Sequence, residues 1–420
     1  MNCIQNKFPS RDLEIQSTGQ IFPHGAKQAI CQEVVSRCTL TWGDRIRAVI
    51  LTGSLARNEA TFVRQGDRHK LFGDADCFIV FQRATALPPD REIVPLQREI
   101  EDSLAQEGLT ARVGLSCISP RFLKALPPII STYELRNCGE VLWGDNEALS
   151  LVPNFFTQNL SREDAWRMLC NRMIELLAFV EDFSASNAEL TPELHYATVK
   201  LFLDMATSYL VFAGQYAPSF RERSQRLLLL ADNPPADAPF PLKKFASRVA
   251  ESTAWKISSE EEDCDRRVEL WHEAISYMRR LWRWEAVQLT GARGELTIGA
   301  LCRLAAKQQN TGQRIRGWLS VARRRGMLKS WRHWPRWGRL GLSSTPRYLT
   351  YHAAAEVAFR LPCLVKHAGQ PPRLDVDWRQ IQSLLPERGP QRKSDNGIPW
   401  RELAGDVLWN YTEFLLSTRA

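Results

Sequence analysis

The chain has 420 residues, of which 44% are hydrophobic and 24% are charged, so it can form roughly two or three domains with buried cores. No apolar run approaches the roughly 20 residues that a membrane-spanning helix needs, and the first residues lack the charged-then-apolar pattern of a secretory signal. The ten cysteines are scattered without a Cys-x-x-Cys pair, which predicts reduced thiols in a cytoplasmic protein and no zinc site.

The formal net charge of +8 is concentrated in one part of the chain. Residues 296–355 contain twelve Lys or Arg and no Asp or Glu, whereas the remaining residues carry 43 basic and 47 acidic side chains, a net of −4. This distribution predicts an anionic partner for the segment 296–355, and not for the chain as a whole.

In chain order, the first predicted element is a helix over 26–41, where apolar residues recur at helical spacing. A buried strand is predicted at 47–51, and it leads into Gly53-Ser54. Gly53 permits a tight turn and the close approach of a ligand to the backbone, and Ser54 can cap the helix that follows. Such a strand, turn and helix start favour the binding of a phosphate.

The next predicted strand, over 73–81, carries two acids on one face. Asp74 and Asp76 are two residues apart, so their side chains point in the same direction. Two adjacent carboxylates repel each other and resist burial. A divalent cation that prefers oxygen ligands, such as Mg²⁺, relieves both costs, so Asp74 and Asp76 are predicted metal ligands.

Gly53-Ser54 followed by Asp74-x-Asp76 on a strand resembles the nucleotidyltransferase superfamily of the polymerase-β type, over roughly residues 25–145. The resemblance implies that Gly53 and Ser54 bind a nucleoside triphosphate, while Asp74 and Asp76 are the catalytic residues and hold two Mg²⁺ ions. It also implies that an acceptor hydroxyl attacks the α-phosphorus of the nucleotide.

The sequence departs from this pattern in two places. A polar stretch over 62–70 lengthens the interval between the two motifs and is predicted to be a loop or a short hairpin. The predicted strand over 110–118, where active members usually carry a third carboxylate, contains no acid. Three interpretations stay open: two carboxylates suffice, an acid comes from elsewhere, or the site binds nucleotide without turnover.

The remaining elements of this domain are a predicted helix over about 91–106, a short helix from Pro120 and a last strand within 133–144. The Gly-x-Val-Leu-Trp-Gly ending of the last stretch also resembles small nucleotidyltransferases. The predicted domain covers 25–150.

A helical bundle is predicted over 155–290, because apolar residues recur at helical spacing there. Its predicted helices cover about 165–183, 192–212, 219–230 and 260–289.

Lys200 lies on the otherwise apolar predicted helix 192–212. The resemblance implies that Lys200 binds the nucleotide, since a lysine of the helical domain often reaches the triphosphate in such two-domain enzymes. An ion pair of Lys200 with Asp204, worth a few tenths of a kcal/mol, explains the same spacing. Arg167 and Arg172 are less strongly indicated for this role.

The last predicted domain, 295–420, is mainly helical and contains the basic segment 296–355. Two short helices over 297–308 and 313–328 meet at a Gly-containing turn, which is compatible with a helix-turn-helix. Three anionic partners fit the interleaved Trp and Arg of 329–339: nucleic acid, a membrane surface, and an anionic glycan or lipid phosphate. A solvated basic face, or Arg stacked on Trp within the fold, fits as well.

The predicted fold class is α+β: a small mixed-sheet nucleotidyltransferase-like domain, a helical bundle and a basic, mainly helical C-terminal region. The predicted function is Mg²⁺-dependent transfer of a nucleoside monophosphate from a nucleoside triphosphate to an unidentified acceptor hydroxyl. The alternatives are a catalytically inactive nucleotidyltransferase-like binding or regulatory protein, and a nucleic-acid-associated protein that acts through 296–355. The predicted location is cytoplasmic, with attachment to a membrane surface left open.

Overall fold

The structure, a computed structural model, describes residues 23–65, 68–179, 191–258, 267–327, 329–361, 377–389 and 399–415. It confirms the α+β class: a small sheet lies in the N-terminal part, and helices make up the rest. The end of the predicted helix 165–183 and the start of the predicted helix 260–289 lie outside the described residues. No described helix combines the length and the apolarity that crossing a bilayer requires.

The N-terminal part alternates strands and helices. Its elements are α1 (Pro23–Trp42), β1 (Ile46–Leu51), the single turn α2 (Gly53–Ala56), β2 (Thr61–Gln65), β3 (Arg68–Phe81), α3 (Asp90–Gln106), β4 (Leu109–Ile118), α4 (Pro120–Lys124), α5 (Ile130–Cys138) and β5 (Glu140–Gly144).

The long strand β3 organises the sheet. Its first residues pair antiparallel with β2, its last residues pair antiparallel with β1, and β4 runs parallel to it. β5 pairs antiparallel with β1. Within the polar stretch, residues 62–65 lie in β2 and residues 68–70 lie in β3, so these two strands form the predicted hairpin and the alternative prediction of a loop is wrong for them. The hydrogen bonds between β2 and β3 satisfy the backbone of this stretch and extend β3 at its start.

Two apolar layers cover the sheet. α1 and α3 pack on one face, where Cys77 and Ile79 of β3 are buried. Val80 of β3 packs on the opposite face, with Leu123 and Leu135 of α4 and α5. This alternation follows from the two-residue period of a strand.

The rest of the described chain is helical. Its helices are α6 (Arg162–Leu176), α7 (Pro192–Phe212), α8 (Phe220–Asp232), α9 (Leu242–Ser258), α10 (Arg267–Thr290), α11 (Ile298–Lys307), α12 (Thr311–Arg325), α13 (Trp334–Ser343), α14 (Pro346–Ala358), α15 (Trp378–Leu384) and α16 (Pro399–Asn410). α9, α13, α14 and α15 have no counterpart among the predicted helices.

Trp166 of α6 lies at the centre of the helical core. Its ring centroid is 5.7 Å from that of Trp282 in α10 and 5.5 Å from that of Tyr348 in α14. The small side chains of Ala353 and Ala354 are fully buried and let α14 pack closely against its neighbours. Helices before and after residue 295 therefore share one hydrophobic core.

A buried ion-pair network joins the sheet domain to the bundle. Glu134 of α5 forms salt bridges with Arg57, at 2.8 Å, and with Arg223 of α8. The Tyr216 hydroxyl also donates to the Glu134 carboxylate, at 2.6 Å. Burial alone favours the protonated acid, yet Arg223 and Arg57 hold the pKa of Glu134 below its usual value.

A second carboxylate of the sheet domain contacts the start of a bundle helix. Glu59, which is 2% exposed, accepts hydrogen bonds from the backbone N–H groups of Phe220 and Arg221 at 3.0 and 3.1 Å. A carboxylate at this position satisfies amides in the first turn of α8 and complements the helix dipole. Together, Glu59 and Glu134 fix α8 against the sheet domain.

The substitution Glu134→Gln should destabilise the protein by about 3–5 kcal/mol at pH 7, because it leaves Arg57 and Arg223 buried without their shared counter-charge. Urea denaturation measures the change. The difference from wild type should shrink as the pH falls, since a carboxyl with a lowered pKa contributes stability that is lost when it is protonated. The exposed Glu147→Gln variant is the control, and an equal loss in both variants would contradict the role of Glu134.

Candidate functional site

A cleft of about 430 Å³ lies between the sheet domain and the helical bundle. Four of the five predicted site residues line it: Ser54, Asp74, Asp76 and Lys200. The helical wall is rich in charged side chains and includes Asp164, Arg167, Arg172, Asp204, Arg223, Lys256 and Arg347.

The fifth predicted residue, Gly53, forms the turn behind the cleft. It adopts a φ of +75°, a backbone conformation that favours glycine. A Cβ at this position would lie 3.8 Å from Oδ2 of Asp76, so the turn lies beside that carboxylate. The Thr52 N–H donates to the Asp76 carbonyl at 2.9 Å and ties the turn to β3.

The predicted capping role of Ser54 is wrong. The N-cap of α2 is Thr52, and its side chain makes no capping hydrogen bond. The helix begins at Gly53, one residue before Ser54, because the glycine itself makes the turn out of β1. The side chain of Ser54 faces the cleft.

Asp74 and Asp76 are both exposed to the cleft. Although Asp76 is open to the cleft, the surrounding walls partly desolvate its carboxylate and raise its pKa, the adjacent Asp74 raises it further, and Lys200 opposes the shift. Among the described residues no group of three or more Asp, Glu, His or Cys side chains is placed to hold a metal ion. The aspartate pair fits Mg²⁺, which is often bound by one or two carboxylates together with substrate phosphates.

The strand beside this pair leaves no room for a third carboxylate at the nearest position. In the β3–β4 register Asp76 pairs with Gly114, and Asp74 pairs with Arg112. A Cβ at position 114 would lie 2.5 Å from Oδ1 of Asp76, closer than atoms can approach. The carboxylate of Asp76 therefore occupies the space that a side chain at position 114 requires.

Three other carboxylates line the cleft, and two of them are held by arginines. Glu134 binds Arg57 and Arg223, as described above, and Asp204 accepts a hydrogen bond from Arg172 at 2.6 Å. In Asp164, one carboxylate oxygen accepts the Ile130 N–H at 3.1 Å, and burial raises the pKa of the acid. Of these three acids, Asp164 is therefore the one whose environment favours proton uptake.

Two lysines of the cleft lie close to the ring of Tyr196. The ammonium nitrogens of Lys200 and Lys256 lie 5.7 and 5.3 Å from the centroid of its ring. The charge of Arg172, and then burial, lower the pKa of Lys200. Asp204 pairs with Arg172 and not with Lys200, so the predicted alternative of a Lys200–Asp204 ion pair is wrong.

Lys256 is more deeply buried, at 1% exposure. Its ammonium donates to the Thr61 hydroxyl at 2.8 Å, and among the described residues no carboxylate lies within salt-bridge distance of it. Burial, together with the charges of Lys200 and Arg57, lowers the pKa of Lys256 to about 7. A buried cation with cationic neighbours favours the binding of an anion.

Sequence reasoning did not single out Lys256. The signal was present, because Phe245, Val249, Ser252 and Lys256 fall on one face of α9 and all are buried. A lysine on the buried face of a helix is unusual and indicates a partner or a ligand. The same reasoning could not have shown that α9 packs beside β2, because that contact is between elements distant in sequence.

No protein-family model matches the chain, and a search of curated proteins finds no match. The functional interpretation therefore depends on the chemistry of the cleft.

Gly114→Ala should move the Asp76 carboxylate and lower Mn²⁺ affinity by about 10–100-fold, as disturbing the support of a metal ligand does. Thermal stability should change little, since the clash is with the end of a side chain. Electron paramagnetic resonance can follow Mn²⁺ binding. Gly405→Ala, where a Cβ meets nothing within 4 Å, is the matched control. Unchanged Mn²⁺ affinity in Gly114→Ala would show that Asp76 is not a ligand.

Proposed function

We propose that this protein is a Mg²⁺-dependent nucleotidyltransferase, which moves a nucleoside monophosphate from a nucleoside triphosphate to an acceptor hydroxyl. One observation carries the proposal: the same cleft holds an adjacent carboxylate pair, Asp74 and Asp76, and two lysines, Lys200 and Lys256. A metal-bound triphosphate needs both, because its metal takes carboxylate ligands and its phosphates take cations.

Each residue has a distinct role in this proposal. Asp74 and Asp76 would hold Mg²⁺, which neutralises charge on the triphosphate and orients its α-phosphorus. The Ser54 hydroxyl donates to a phosphate from the sheet side of the cleft. Lys200 and Lys256 balance the charge of the departing pyrophosphate from the helical side.

The transfer forms a bond between the acceptor oxygen and the α-phosphorus and breaks the bond from that phosphorus to pyrophosphate. The proton of the acceptor hydroxyl needs a base, and Gly114 excludes one from the position next to Asp76. We assign this role to Asp164, because it lines the cleft and burial raises its pKa.

Gly114 also favours the alternative function, an inactive nucleotide-binding protein, because it supplies no base next to Asp76. Both functions require Mg²⁺-dependent triphosphate binding, whereas only the enzyme releases pyrophosphate. Binding and turnover must therefore be measured separately.

Calorimetry with each nucleoside triphosphate and Mg²⁺ tests the proposal. Wild type should bind at least one triphosphate, and Asp74→Asn/Asp76→Asn should lose at least about 100-fold in affinity. The exposed helix variant Asp102→Asn removes a carboxylate elsewhere and should bind like wild type. Binding that survives in the double variant, or no binding in wild type, would contradict the proposal.

Pyrophosphate release, measured with water or added hydroxyl compounds as acceptors, extends this test to turnover. The Asp164→Asn variant should keep its triphosphate affinity and lose about 10²–10⁴-fold in rate, the usual contribution of a general base. Binding without pyrophosphate release from wild type would support the inactive alternative.

Triphosphate binding at pH 8 should take up close to one proton per nucleotide. Because the pKa of Lys256 is about 7, its side chain is mostly neutral at pH 8, and a bound anion favours the charged form. Calorimetry in buffers of different ionisation enthalpy measures the uptake. Lys256→Met should abolish it, whereas Lys124→Met, at an exposed position, should not. Equal uptake in both variants would exclude Lys256 from the phosphate site.

A further inference from the structure

α12 and α13 form an antiparallel pair, here called the α12–α13 hairpin (residues 311–343). At one end Arg314 donates to the Leu342 carbonyl at 3.1 Å, and Trp318 donates to the Ser344 carbonyl at 3.0 Å. At the other end Arg325 and His333 lie 3.0 Å apart. None of the residues that line the cleft belongs to the hairpin.

The inner side of the hairpin is well packed. The rings of Trp318 and Trp337 lie 6.0 Å apart, and Val321 and Trp337 are buried. The Trp337 indole N–H donates to the Pro386 carbonyl at 3.1 Å, which anchors α13 to the segment after α15. Side chains on the outer side can therefore be changed without disturbing this core.

The hairpin exposes an unusual number of large apolar side chains. Thirteen such side chains are exposed in the described chain, and six of them belong to the hairpin: Ile315, Leu319, Met327, Trp331, Trp334 and Leu342. Trp331 is 61% exposed, and Leu342 is 81% exposed. Single exposed apolar residues are ordinary, but a concentration in one small unit marks an interaction surface.

The hairpin is also strongly basic. Arg316, Arg323 and Arg324 are exposed and make no ion pair within the described ranges, and the hairpin sequence contains no acid. Arg323, Arg324 and Arg325 line a shallow surface depression together with Lys329. Arg325 alone of these is paired, with Glu387.

We propose that the α12–α13 hairpin docks the protein on an anionic lipid surface. Trp side chains lie favourably at the level of lipid headgroups, aliphatic side chains bury in the outer acyl region, and arginines attract anionic headgroups. Nucleic acid would engage the arginines and could stack on tryptophan, but it offers no apolar region to Leu319 and Leu342. The exposed aliphatic residues thus favour lipid.

Vesicle flotation with the full chain tests this inference, using phosphatidylcholine vesicles with and without phosphatidylglycerol. We expect binding that requires phosphatidylglycerol. Arg323→Gln/Arg324→Gln should lower the partition coefficient by about 30-fold, from the contribution of two arginines near an anionic surface. Trp331→Ala/Trp334→Ala should lower it by at least about tenfold, because two apolar anchors are lost.

Matched substitutions on distant surfaces are the controls. Arg91→Gln/Arg98→Gln removes two exposed arginines of α3, and Phe156→Ala removes a side chain that is 80% exposed. Both should bind vesicles like wild type, and circular dichroism checks that every variant is folded. Binding to an oligonucleotide but not to anionic vesicles would overturn the inference in favour of nucleic acid. Vesicle binding that is absent in wild type, or unaffected in the tryptophan variant, would also overturn it.

Discussion

Repulsion between like charges is the constraint on which the cleft depends. Asp74 and Asp76 lie on one face of β3, and the ammonium nitrogens of Lys200 and Lys256 lie 5.7 and 5.3 Å from the Tyr196 ring centroid. Burial, and then repulsion within each pair, raises the pKa of Asp76 and lowers the pKa of Lys256, so both pairs are costly. A ligand that brings cations to the aspartates and anions to the lysines relieves both costs. A metal-bound triphosphate has this distribution of charge.

Residues that take no part in the proposed reaction hold these charged side chains in place. Glu59 and Glu134 bind α8 to the sheet domain, so the two walls of the cleft are held together by buried contacts. Gly53 turns the chain beside Asp76, and Gly114 gives the Asp76 carboxylate its space on β4. A side chain would strain the backbone at Gly53, and at Gly114 it would displace the Asp76 carboxylate.

Local patterns in the sequence predicted the sheet-side residues well. The positions of Asp74 and Asp76 followed from the period of a strand, and the acid-free strand was correctly placed as β4. The residues of the helical wall were harder to predict, because Asp164 and Lys256 reach the cleft only through the packing of α6 and α9. The capping role of Ser54 was mispredicted because the turn begins at Gly53. The shared core around Trp166 likewise depends on contacts with Tyr348, far away in sequence, which no local pattern reveals.

A crystal structure with Mn²⁺ and a non-hydrolysable nucleoside triphosphate tests the central claim most directly, because anomalous scattering locates the metal. The account predicts Mn²⁺ bound to Asp74 and Asp76, with the triphosphate extending toward Lys200 and Lys256. Metal bound elsewhere, or a triphosphate outside this cleft, would contradict it.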